Sequence, residues 1–251
     1  MARPVKILLQ TTIATARDDW SISRFSRLAA LLRNQHGADG SPLYAVTMRD
    51  REASEGPDPL LSTIDKGDFD QLWLFAVDSG NGLANEDCEA IGRFRKRGGG
   101  LLVTRDHMDL GSSVCTLGGV GKAHYFHSRA QDPDTRRRER DDPFTKSIDW
   151  PNFHSGANGD FQEIEVVGPV HPILARKGSP TGAIRYLPAH PHEGGVGAPD
   201  GEGARVVAKG RSKATGRPFN IAVAFEPGDH GGPAVAQSSF HHFVDYNWDP
   251  G

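Results

Sequence analysis

Through its first 107 residues the chain alternates between short apolar runs and amphipathic segments, and no other feature restricts its fold so strongly. "VKILLQTT" (5–12), "YAVTMRD" (44–50), "QLWLFAVD" (71–78) and "GLLVTRD" (100–106) are rich in leucine, aromatic and β-branched residues and close on polar ones, the pattern of strands buried on both faces. Between the first two, "WSISRFSRLAALLRNQHG" sets Ile22, Phe25, Leu28 and Leu32 at helical spacing, with Asp18 or Asp19 to cap the start and Gly37 to stop it. "DPLLSTIDKGDF" predicts a short helix. "NEDCEAIGRFRKRGG" (85–99) predicts another, with Asn85 as cap, acids in its first turn, bases in its last and glycine at its end. Strands and helices in alternation imply an α/β fold with a parallel sheet covered on both faces. In such sheets ligands bind beyond the carboxyl ends of the strands, where Asp78, Asp106 and His107 are expected.

Beyond residue 110 the pattern loosens. Residues 111–160 read as a long loop insertion in one domain that spans 1–251. "FQEIEVV" (161–167), "AIRYLPA" (183–189), "ARVVAKG" (204–210), "PFNIAVAFEP" (218–227) and "GPAVAQSSF" (232–240) follow as strands, so the C-terminal half is strand-rich, and "EGGVGAPDGEG" (193–203) reads as a flexible turn. No apolar run approaches the roughly 20 residues that span a bilayer, which sets aside a membrane role. With 29 basic against 32 acidic residues there is no electrostatic case for nucleic acid, and "DPDTRRRERDD" (132–142) reads as a solvated loop. Cys88 and Cys115 make no disulfide framework, which sets a reducing cytoplasm as the expectation. No complete dinucleotide fingerprint or G-x-S-x-G elbow is present, so neither a nucleotide cofactor nor a serine hydrolase of that type is expected.

Five segments occur in an order that resembles the ThuA-like (trehalose utilisation) family of the class I glutamine amidotransferase-like superfamily. They are "AIGRFRKRGGG", "LLVTRDH", "LGGVGKAHYFH" (117–127), "PVHPILA" (169–175) and "AVAQSSFHHF" (234–243). The resemblance implies a flavodoxin-like three-layer α/β/α core with a mainly parallel sheet, and a small-molecule substrate such as a sugar. The sequence departs from the family pattern at the strand end, where Arg105 and Asp106 precede His107 in place of a glycine, and in the basic 130–142 loop. Amidotransferases proper place a cysteine at this turn. Here Cys115 lies eight or more residues later, so glutaminase chemistry by that route is absent.

What carries chemistry is a set of carboxylates and histidines, of which there are 11. Asp106 and His107 can act as an oriented acid–base pair, and Arg105 can present a planar fork to an anionic or hydroxyl-rich substrate or pair internally with Asp106 or Asp109. His107, His124, His127 and His242 are the expected ligands of a divalent metal such as zinc, iron or manganese. Adjacent strand residues face opposite ways, so one of His241 and His242 is expected to be structural, with His242 favoured for the site. His190 and His192 could chelate together from a proline-broken loop but are expected to be exposed, and His171 is expected to serve a turn. The alternative to a small-molecule enzyme is a non-catalytic ligand-binding or complex-forming module, and a homo-oligomer is compatible with either.

Overall fold

The computed structural model describes residues 3–18, 20–52, 55–141 and 146–248. Asp19 as a helix cap, and the last three residues of the chain, lie outside them. The described residues form twelve strands: β1 Val5–Ala14, β2 Tyr44–Arg51, β3 Gln71–Phe75, β4 Gly100–Thr104, β5 His124–Tyr125, β6 Phe161–Glu163, β7 Glu165–Val166, β8 Tyr186–Pro188, β9 Gly195–Val196, β10 Ala204–Arg211, β11 Pro218–Phe225 and β12 Ala234–Gln237. Eight form one sheet in the order β2-β1-β3-β4-β12-β11-β10-β7. The pairs from β2 to β12 are parallel. Those from β12 to β7 are antiparallel. The sheet is thus mixed, with its parallel half where the alternating pattern predicts it and an antiparallel extension built from the C-terminal half.

Period-2 alternation sends successive side chains of each strand to opposite faces. On one face Leu8, Leu72, Leu74, Leu101 and Val103 pack with Leu61, Ile64 and the helical Ala90, Ile91 and Phe94. On the other, Ile7, Leu9 and Phe75 pack with Phe25, Leu28, Ala29 and Phe240. Full burial of each such side chain contributes about 2 kcal/mol. The α-helices behind these contacts are α1, Ser26–Arg33, preceded by a 3-10 turn at Ile22–Phe25, and α2, Asn85–Lys96. The cap of α2 is Ala84 rather than Asn85: the Asp87 carboxylate accepts from the Ala84 N–H at 3.0 Å. At its other end Gly98 takes φ +103°, and its N–H and that of Gly99 bond the carbonyls of Arg95 and Phe94, closing the helix as a Schellman turn. The segment "DPLLSTIDKGDF" is a 3-10 turn, Leu61–Lys66, hung from Asp58, whose carboxylate accepts from Leu60 and Leu61 N–H and from Arg49.

Three expectations change. Cys88 and Cys115 are bonded, with Sγ–Sγ 2.13 Å, tying α2 to the segment after β4. Cysteine usage therefore no longer argues for a reducing compartment, and Cys115 is not a free nucleophile. Residues 193–203 are not a loose turn, because Gly195–Val196 pair with His124–Tyr125 and residues 193–197 are buried. "FQEIEVV" splits into two short strands, β6 pairing β8 and β7 extending the main sheet. No helix among the described residues is long and apolar enough to cross a membrane.

Candidate functional site

The parallel strands β1, β2, β3, β4 and β12 deliver their carboxyl ends to one edge, and the chemistry gathers beyond β4 and β12. After β4, Asp106 turns inward and is 1% exposed. A tight turn holds it there: Met108 takes φ +47°, Leu110 N–H bonds the His107 carbonyl at 3.1 Å, and Met108 N–H bonds Pro151 O at 3.0 Å. After β12, Ser239 caps a 3-10 turn, Phe240–Phe243, which aims His241 at Asp106 with Nε2 to Oδ2 3.4 Å. The third member comes from the loop before β9. There His190 N–H bonds Ser155 Oγ at 2.9 Å, and His190 Nε2 lies 3.5 Å from Asp106 Oδ1. Gly194 lets this loop close over β4: a Cβ there would lie 2.2 Å from Arg105 Nη1 and 2.4 Å from the Asp106 carbonyl.

Asp106, His190 and His241 form a buried group whose ligand atoms lie within 4.8 Å of one another, and it could hold a metal ion. The His190 and His241 rings stack at 3.6 Å and 9°. His107 adjoins the group, with Nδ1 3.0 Å from Asp106 Oδ2 and a side chain 19% exposed. The partly buried His192 stands edge-on to both His107 and His190. Burial alone would raise Asp106, but the His190 and His241 rings and the His107 hydrogen bond outweigh it, and the carboxyl lies well below its usual range. Burial, with His241 alongside, pushes His190 down to about 4 against the pull of Asp106.

The other expected residues sit elsewhere. His242 is buried in the network around Glu193, which meets the His190 backbone through Ser155: its Nε2 is 3.1 Å from Glu193 Oε1, and its Nδ1 is 3.1 Å from Gln237 Oε1. Glu193 also accepts from Ser155 and Ser238, and these bonds with His242 hold its carboxyl low despite full burial. His124 is fully buried in β5 and makes no side-chain hydrogen bond; burial, then the charge of Arg105, pushes it down to about 3. His127 is at the surface, 3.9 Å from Asp109 and 3.8 Å from Asp149, against Trp150. Arg105 is fully buried over the Phe126 ring at 4.4 Å, with Nη2 donating to Met108 O and burial pushing it down to about 9. Neither His124, His127, His242 nor Arg105 belongs to the Asp106 group. Asp78 is a structural hub, accepting from Thr12, Gly80 and Ser113, and His171 serves its turn by accepting from Ile173 N–H at 3.2 Å. His190, expected to be exposed, is buried at 3% exposure, and His241, ranked behind His242, is the one of that pair that joins Asp106.

The fold and this cluster together define an α/β protein with a buried carboxylate–imidazole group at the carboxyl edge of its parallel strands. Solved structures agree on the fold. A ThuA-like protein from Parabacteroides merdae is 11% identical at a TM-score of 0.52, over 98% of this chain and 88% of that one. The cytoplasmic proteins STM1381 from Salmonella typhimurium LT2 and STM3548 from Salmonella typhimurium are each 12% identical, with TM-scores of 0.53 and 0.50, over 94% of this chain and 88% and 87% of theirs. The chain therefore shares its fold with ThuA-like proteins, as its motif order implies. No family model matches the sequence, and neither does any curated protein.

Proposed function

We propose that the chain is a metal-assisted small-molecule enzyme on a flavodoxin-like three-layer core, acting on a sugar or similarly polar metabolite. One observation carries this reading. His190 Nδ1 is 2.9 Å from Asn158 Oδ1, placed to donate its N–H to that amide oxygen. The buried Nε2 of His190 faces Asp106 Oδ1 at 3.5 Å, and His241 Nε2 faces Asp106 Oδ2 at 3.4 Å, both longer than a good hydrogen bond. A carboxylate and two imidazole nitrogens that converge in a buried site favour a cation among them. One carboxylate and two imidazoles suit zinc, iron or manganese, and such an ion would supply Lewis acidity toward a bound water or a substrate oxygen. Asp106, His190 and His241 are the residues that would hold it.

His107 is the acid–base group in this reading. Asp106 orients its Nδ1, and its partly exposed ring stands at the rim of the cluster, where a substrate proton can be exchanged. The test is elemental mass spectrometry on untagged protein. Native chain is expected to carry or take up close to one equivalent of a divalent metal. His190→Ala and His241→Ala are each expected to lose it. Protein that takes up no metal, and whose melting temperature is unmoved by zinc, manganese or ferrous ions, would contradict the reading and favour the complex-forming module.

A further inference from the structure

Resting on that metal reading, we infer that Asn158 and Tyr246 are positioning residues for the two histidines, and that the C-terminal turn is built into the site. The imidazole atoms that face Asp106 are both Nε2, and the far nitrogen of each ring is separately engaged. His190 Nδ1 meets Asn158 Oδ1 at 2.9 Å, and His241 Nδ1 meets the Tyr246 hydroxyl. Each contact holds its ring against flipping. Asn158 Oδ1 accepts only and so favours the Nδ1–H tautomer of His190, while the Tyr246 hydroxyl can accept from or donate to His241 Nδ1. An acceptor on Nδ1–H raises the basicity of the ligating nitrogen.

The two contacts come from segments remote in sequence and are latched together. Asn247, fully buried in the 3-10 turn Asp245–Asn247, accepts from Gly159 N–H at 2.7 Å through Oδ1 and donates to the His241 carbonyl at 2.8 Å through Nδ2. Gly159 is the neighbour of Asn158. One side chain therefore fixes the loop that orients His190 against the turn that orients His241. Trp248 Nε1 adds a bond to the His242 carbonyl at 2.8 Å. Asn158 and Tyr246 engage the nitrogens that face away from Asp106, so each acts through the histidine it holds.

The test is metal affinity, measured by competition with a chromophoric chelator and by the visible absorption of the cobalt-loaded protein. Asn158→Leu and Tyr246→Phe are each expected to weaken binding roughly 10- to 100-fold and to alter the cobalt spectrum. Asn158→Asp keeps an acceptor for Nδ1–H and is expected to hold affinity within about threefold of native, well short of the loss expected for the leucine variant. Should Asn158→Leu fail to fold, Tyr246→Phe decides alone, since it deletes a single hydroxyl. Native affinity and spectrum in the Tyr246→Phe and Asn158→Leu proteins would overturn the inference while leaving the metal reading intact. Absence of metal binding by the native chain would overturn both.

Discussion

Neighbouring side chains with the same chemistry do unlike work in this protein, and His241 and His242 are the clearest pair. They lie in a 3-10 turn, where successive residues are about 120° apart, so His241 reaches Asp106 while His242 reaches Glu193. Reading them as strand residues predicts that one is structural and favours His242 for the site, whereas His241 is the one that meets Asp106; the Ser239 cap that ends the strand is the signal that could have decided it. The consequences of removal should differ accordingly. His242→Ala leaves the fully buried Glu193 carboxylate without its imidazole and is expected to cost about 3 kcal/mol of stability, with metal uptake retained in the protein that stays folded. His241→Ala is expected to remove metal uptake with a smaller loss of stability. Calorimetric melting of both variants checks this. A reversed order, with His241→Ala the more destabilising and still metal-binding, would contradict the assignment.

At the scale of elements, buried carboxylates hold loops where backbone bonding cannot. Asp58 joins the end of β2 to the 3-10 turn before β3, accepting from Arg49 side-chain nitrogens at 2.7 and 3.1 Å and from the N–H groups of Glu52, Leu60 and Leu61. Burial would raise its pKa, but the Arg49 bond and the backbone donors outweigh this and hold it below the usual range. A carboxyl depressed in the folded state contributes stability above its unfolded pKa of about 4, and that contribution fades as pH falls through the folded value. Native and Asp58→Asn proteins should therefore differ most in denaturant midpoint near pH 7 and converge on acidification below pH 4. A difference independent of pH would contradict this role. "DPLLSTIDKGDF" opens on Asp58 itself and announces a turn of helix, but not that acid's hold on the end of β2, because among the described residues its donors other than Leu60 and Leu61 come from residues 49 and 52.

Across the whole molecule, the parallel half of the sheet is legible because its strands are buried on both faces and its helices close on glycine and charge, all local signals. The antiparallel extension is legible as strands but not as pairings, and the disulfide between Cys88 and Cys115 depends on α2 lying against the segment after β4. The site is less legible still. Asp106 stood out because a strand ending in charge is costly unless used. Its partners arrive from residues 190 and 241, and their orienting groups from 158 and 246, so no spacing in the chain records the group. His124 and His127 share a motif yet point away from it, one into the core and one to solvent.

In the proposed site Asp106, His190 and His241 hold one metal ion. Crystals grown with zinc and measured on both sides of its absorption edge test it directly. The expected result is a single strong anomalous peak bounded by an Asp106 carboxylate oxygen and the Nε2 atoms of His190 and His241, at roughly 2.0–2.2 Å from each. A map with zinc bound only at surface histidines such as His127, and none between these three side chains, would contradict it.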